Sequence, residues 1–243
     1  MFSLNGKTAY VTGGLGLVGG AIFDALQTAG AETFALEPTP SDTSRAVLEF
    51  DASDTDAIGE RLASLESRYG AADVWVNCAY PRTEDWSKTR PETLTAESWR
   101  TNVDLQMNSY CLFSTAVAEA MAARGSGSII NVASIYGVTG ADFGVYSGTD
   151  MMLPPAYAAI KGGIVNYTRY LASYYGPKGV RVNTICPGGV ADNQPQPFVD
   201  NYAARTPMRR MAEASELGGP VVFLASDAAS YVTGAALMVD GGW

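Results

Sequence analysis

Two kinds of apolar pattern alternate along this chain. Short runs dense in Val, Ile, Ala and aromatic residues recur at Thr8–Thr12, Glu32–Leu36, Val47–Phe50, Val74–Cys78, Ser128–Val132, Val180–Cys186 and Ala236–Val239. Their near-continuous apolar character is that of strands buried on both faces. Between them, apolar positions fall three and four apart over Leu17–Thr28, Asp56–Arg68, Ala96–Arg124, Ala156–Tyr175 and Glu216–Ala225, the spacing of helices with one buried stripe. Strand and helix in turn predict an α/β fold with a seven-stranded, mostly parallel sheet and helices on both faces. No repeat or Pro/Gly/Ser linker divides the pattern, so residues 1–243 are expected to form one domain. Two segments depart from compact spacing, Tyr80–Pro91 and Ile135–Pro155. Both follow predicted strands, where ligands of such sheets are read.

Composition narrows the partners. Sixteen Lys and Arg against 25 Asp and Glu leave a net charge of −9, which argues against nucleic acid and against anionic membrane surfaces. No apolar run approaches the ~20 residues of a membrane span, and Met1 to Lys7 lack the apolar segment of a signal peptide, so a cytoplasmic location is expected. Cys78, Cys111 and Cys186 are odd in number and widely spaced, which fits buried small apolar residues better than a metal site or a disulfide framework. There is no histidine. Any general acid or base must therefore be Tyr, Lys or a carboxylate, and no metal is expected.

Three features in chain order carry chemistry. The first is Thr12-Gly13-Gly14-Leu15-Gly16-Leu17-Val18-Gly19, placed after the first strand and at the start of the first helix. Gly13 and Gly16 let the backbone turn tightly and approach a pyrophosphate, and Gly19 allows close helix packing. The N–H groups of Leu15, Leu17 and Val18 would face the anion. The second strand then leads to Glu37, where a carboxylate holds ribose hydroxyls and repels a 2′-phosphate, favouring NAD over NADP; the alternative is a solvated loop carboxylate. Asp51, followed by Ala52 after the third strand, suits either the adenine amino group or the capping of the next turn.

The second feature is Ser134, at the end of the fifth strand. The third is Tyr157-Ala-Ala-Ile-Lys161. On a helix the i, i+4 spacing puts Tyr157 and Lys161 on one face. A unit charge roughly 5 Å from the phenol is worth on the order of 3 kcal/mol at an effective dielectric of about 20, or about two pKa units. Lys161 is thus expected to bring Tyr157 toward a useful acid/base range. The Tyr-x-x-x-Lys pattern alone decides little; its position after a phosphate turn and a strand-end serine does.

With these residues in hand, the chain resembles the short-chain dehydrogenase/reductase family from end to end. The carrying segments are Thr12 to Gly19, Asp51, Asn77-Cys78-Ala79, Ser134, Tyr157 to Lys161, Asn183 to Gly188, Thr233-Gly234, and Val239 to Gly242. The resemblance implies a Rossmann-type doubly wound domain that transfers a hydride between nicotinamide and a secondary alcohol or ketone. It implies that Tyr157 is the acid/base, that Lys161 lowers its pKa and binds ribose, and that Ser134 holds the substrate oxygen. It further implies Asp51 at the adenine, Asn77 and Ala79 along the adenosine, the Val190 backbone at the carboxamide, and Pro187 and Gly188 among the cofactor-binding residues. A homotetramer or homodimer is expected on the same ground.

Against that family pattern, the glycine spacing is like an extended branch. Tyr80 replaces a glycine, Gln106 replaces an asparagine that anchors a water relay to the lysine, and Asp192 replaces a threonine. The interval from Ser134 to Tyr157 is longer than usual. With Asn77 to Arg82 and Gly188 to Pro195, it is similar to that of a subgroup of flagellin-modification and legionaminic-type surface-sugar oxidoreductases. Tyr80, Tyr136, Tyr146, Ser147, Thr149 and Asp150 offer partners suited to a polyol, and Arg82, Lys88 and Arg90 suit a phosphate or carboxylate; the alternative is ordinary solvated loops. A small-molecule substrate follows, a sugar, sugar phosphate or sugar nucleotide. The competing readings are reduction of a 3-oxoacyl thioester or other small ketone, and a dinucleotide sensor without turnover.

Overall fold

A computed structural model describes residues 1–39 and 46–243. Among the described residues, seven strands form a single sheet: β1 (Thr8–Thr12), β2 (Glu32–Glu37), β3 (Val47–Glu49), β4 (Val74–Asn77), β5 (Gly127–Val132), β6 (Val180–Pro187) and β7 (Ala236–Val239). Their order is β3-β2-β1-β4-β5-β6-β7 with every pairing parallel. The order reverses between β1 and β4, which opens a crevice at the carboxyl ends of those strands.

Each face of the sheet buries its own row of side chains. Phe34, Tyr10, Trp75, Ile129 and Val182 lie in register across five strands and pack with Phe113, Met121 and Leu171 from the helices on that side. The intervening positions Val11, Val74, Val76 and Ile130 face the other way, onto Ile22, Leu26, Val221 and Leu224. These rows give the long apolar runs of the sequence their cause, since a strand between two helical layers has no wet face. The helices are α1 (Leu17–Thr28), α2 (Ile58–Tyr69), α3 (Ala96–Asn102), α4 (Ser109–Arg124), α5 (Pro155–Tyr175), α6 (Gln196–Arg205) and α7 (Gly218–Ala225). Pro155 opens α5 at a position where a missing N–H costs nothing.

Three departures from the sequence pattern bear on the site. The continuous helix expected over Ala96–Arg124 is broken by a π-helical turn at Val103–Asn108. There the Ser109 hydroxyl donates back to the Leu105 carbonyl at 2.6 Å, and Asn102 turns its amide onto Thr83. The expected start of α7 is instead a 3-10 turn, Ala214–Leu217, closed by a reciprocal capping box between Glu213 and Glu216. Helix α6, not anticipated, packs on the long loop before α5: Asn201 donates to the carbonyls of Val145 and Ser147, and Arg205 pairs with Asp142 at 3.2 Å.

A polar network runs under the crevice. Trp75 donates through its indole to Asn77 Oδ1 at 2.8 Å, and the Asn77 amide donates to Ser114 and to Asn131. Asn131 donates to Thr168, which also accepts from Thr184. Five of these six residues are buried polar groups with their bonds made, and they fasten α4 and α5 to the carboxyl half of β4, β5 and β6.

Candidate active site

The glycine turn leaves β1 and meets the segment after β4. The Thr12 hydroxyl oxygen accepts from the N–H groups of both Cys78 and Ala79. Gly13 has φ +68, and a β-carbon there would lie 2.8 Å from Ala79 Cα; a β-carbon on Gly19 would lie 2.0 Å from the Gly13 carbonyl oxygen. Glycine is required at both, at one for conformation and contact and at the other for contact alone. Glu37 reaches the turn and accepts from the Leu15 N–H at 2.6 Å. Gly13, Glu37, Asp51, Ala52, Ala79 and Tyr80 line a cleft of about 220 Å³. A turn that excludes β-carbons, beside a carboxylate-walled cleft, fits the adenosine half of a dinucleotide.

Not every expected contact points into this cleft. The Asn77 side chain is spent inside the sheet network, so only its backbone is available to a ligand. Asp51 accepts from the backbone and hydroxyl of Ser53 at 2.8 and 2.6 Å, and these bonds hold its carboxyl below the usual range despite partial burial. Leu17 and Val18 open α1. Pro187 and Gly188 lie where β6 ends beside β7, and Val190 bridges to Ala212.

Ser134, Tyr157 and Lys161 converge beyond β5. Ser134 follows the strand and accepts from the Tyr136 N–H, and Tyr157 sits in the first turn of α5. Burial pushes the Tyr157 phenol above its ordinary value, and hydrogen bonding with Ser134 works against that rise. Lys161 is 5 % exposed; its ammonium donates to the Val132 carbonyl at 3.0 Å, and burial pulls its pKa down to about 8. The expectation that Lys161 lowers the Tyr157 pKa is therefore not met in this geometry. The ammonium points at the end of β5, 5.7 Å from the phenol ring centre, and desolvation sets the direction of the Tyr157 shift.

Gln106 occupies the π-helical turn, 1 % exposed, and neither its amide oxygen nor its nitrogen makes a hydrogen bond. A buried amide calls for a partner that the protein itself does not supply there, such as a bound water. The Tyr136 hydroxyl is also buried, and its neighbouring partners are the Tyr146 hydroxyl and the Asp142 backbone. Tyr146 lies across from it, and the Tyr136 ring meets Trp243 edge-on at 6.2 Å.

The loop after β4 supplies a wall that the sequence pattern did not reveal. Trp86 is buried among Tyr110, Ile160 and Cys186 and donates from its indole to the Tyr80 hydroxyl at 2.8 Å. The Tyr80 ring stands perpendicular to that of Tyr157, with centres 6.2 Å apart. Arg82 stacks on Tyr80 at 5.2 Å, whereas Arg90 is spent on the carbonyls of Ser87, Thr89 and Asp150. A tryptophan inside a polar loop was the available signal for Trp86.

Comparison with known proteins identifies the family of this fold. A family model described as enoyl-(acyl carrier protein) reductase matches residues 21–243. The chain is 31 % identical to post-translational flagellin modification protein A of Campylobacter coli over 81 % of its own length and 77 % of that protein. It is 33 % identical to 2-dehydro-3-deoxy-D-gluconate 5-dehydrogenase of Bacillus subtilis over 100 % and 96 %. Among solved structures, a short-chain dehydrogenase from Leptospira borgpetersenii with bound NAD+ superposes with a TM-score of 0.88 at 34 % identity, over 99 % of this chain and 93 % of that one.

The chain belongs to the short-chain dehydrogenase/reductase family. It is an oxidoreductase of secondary alcohols and ketones that uses a nicotinamide dinucleotide. No helix among the described residues is long and apolar enough to cross a membrane.

Proposed function

We propose that this protein is an NAD-preferring dehydrogenase of a sugar, sugar phosphate or sugar nucleotide, with cofactor binding and catalysis in one domain. The observation that carries the reading is the wall around Tyr157, where Tyr80, Tyr136 and Tyr146 bring phenols to the acid/base. A polyol is the ligand class that uses such a surface. The names of the two relatives, one a sugar-acid dehydrogenase and one a flagellin modification protein, support the same class. The Glu37 carboxylate at the turn supports NAD over NADP.

Gly13, Leu15, Gly16, Glu37, Ala79 and Lys161 would hold the dinucleotide, which supplies the hydride acceptor or donor when bound. The Ser134 hydroxyl then orients the substrate oxygen, and Tyr157 takes the alcohol proton in oxidation or returns it in reduction. Lys161 and the Gln106 amide stand on the route by which that proton reaches solvent. The three thiols are unpaired, which suits a cytoplasmic setting. Tyr170, Tyr174 and Leu112 leave apolar surface on α4 and α5, which suits assembly of like subunits into a dimer or tetramer.

The test is NADH formation or consumption against sugar phosphates, nucleotide sugars and sugar acids, with an acetoacetyl thioester as control. Turnover of a sugar is expected, and Tyr157→Phe should lose about 10²–10⁴-fold in rate while still binding NADH. Turnover of the thioester alone would instead favour the second reading, which the 30 % identity to acetoacetyl-CoA reductase of Shinella zoogloeoides over 97 % of this chain supports.

A further inference from the structure

Lys161 is enclosed by aromatic faces. Its ammonium nitrogen lies 5.6 Å from the ring centre of Tyr80, 5.5 Å from that of Tyr110 and 5.7 Å from that of Tyr157. All three distances fall within the ~6 Å over which a cation is attracted to a ring face. The rings come from three elements: the loop after β4, the start of α4 and the first turn of α5. Each of the two outside α5 is fixed by its own hydroxyl. Tyr80 accepts from the Trp86 indole at 2.8 Å, and Tyr110 donates to the Ala79 carbonyl at 3.0 Å.

An ammonium carries three donors, and Lys161 places one on the Val132 carbonyl. The other titratable groups acting on it are the thiols of Cys78, at the end of β4, and Cys186, in β6. Burial pushes those thiols up to about 12 and about 11, so at neutral pH neither offers a negative charge. The attraction left to offset desolvation comes from the ring faces.

We infer that Tyr80 and Tyr110, with Tyr157, form a cation–π cage that keeps Lys161 an ammonium beside the acid/base. Tyr80 is therefore a positioning residue for proton transfer. Where the family pattern has glycine, this chain places a ring that touches both members of the Tyr-Lys pair. The lysine stays charged at neutral pH although burial has brought it down to about 8. The inference rests on Lys161 belonging to the active site, and its test needs neither substrate nor turnover. Silence across the substrate panel would leave it standing, and its failure would leave the hydride-transfer reading intact.

The full chain, labelled with carbon-13 at the lysine ε position, carries four lysines, Lys7, Lys88, Lys161 and Lys178. The Lys161 signal is assigned by its loss in Lys161→Met, and its midpoint is followed by NMR from about pH 6 to about 11, spanning the buried and free values. Tyr80→Leu should lower the midpoint by about half a unit to one unit, the loss of one ring face. Tyr80→Phe, which keeps the face, should leave it in place. Tyr80→Met supplies a second variant that fills the space without a ring, and Tyr80 is 41 % exposed, so all three are expected to fold. A midpoint at or above the wild-type value in both Leu and Met variants would overturn the cage. So would a Phe variant that moves as far as they do.

Discussion

Glu37, the last residue of β2, accepts a 2.6 Å hydrogen bond from the backbone N–H of Leu15 in the glycine-rich turn. A carboxylate is thereby anchored at the mouth of the crevice, with one oxygen held by the turn. A group bearing a 2′-phosphate would meet its negative charge at short range, whereas ribose hydroxyls can donate to it.

Replacing that carboxylate should change cofactor choice before anything else. Glu37→Ala is expected to raise the NADP-to-NAD ratio of kcat/KM by roughly tenfold or more, equivalent to about 1.4 kcal/mol. Steady-state rates with both cofactors read it. A ratio equal to that of the parent would place selectivity outside Glu37.

The polar network beneath the crevice predicts a stability effect. Asn131→Ala removes the acceptor used by Asn77 and Ser114 and the donor received by Thr168. Leaving such buried groups unpaired should cost about 2 kcal/mol or more, seen as a lower urea midpoint with an unchanged slope. A loss under about 0.5 kcal/mol would mean that water repairs the network.

Lys161 also makes stability depend on pH in a stated direction. Its folded pKa, about 8, lies below the ordinary 10.5, so between those values the unfolded chain binds more protons than the folded one. Stability from this group is complete above about 10.5 and is lost as pH falls toward 8. The wild type should therefore gain stability relative to Lys161→Met between about pH 8 and pH 10. Urea unfolding of both proteins at the two ends of that window checks it. Parallel pH curves would show that the lysine titrates as a free one.

How far the sequence reached can be argued residue by residue. The seven strands were legible because burial on both faces makes their apolar runs nearly continuous, and Tyr10, Trp75 and Val182 sit in one row for that reason. Ser134, Tyr157 and Lys161 were legible because strand end and helix spacing position them without long-range help. The π-helical turn in the α3–α4 stretch was not, since its one-residue widening leaves the apolar spacing almost unchanged and the neighbouring contact of Asn102 with Thr83 joins residues far apart in the chain. Helix α6 escaped because it is only ten residues long and buries only Phe198 and Tyr202, which pack with Val145 and Met211 rather than against the sheet. The family resemblance placed Asn77 near the cofactor but could not say that its amide is consumed by Ser114 and Asn131. Nor could it give the sign of the Tyr157 shift, which depends on how deeply the phenol is desolvated.

The stitching of the three segments around Tyr157 has an evolutionary corollary. Arg90 ties the loop after β4 to Asp150, while Asn201 and Arg205 tie α6 to Val145, Ser147 and Asp142. None of the three is an independent module. A relative that acquired only one of them by recombination would inherit a guanidinium or an amide with no carbonyl to meet. A graft meant to move any one of these segments must therefore carry residues 80–91, 135–155 and 196–205 together.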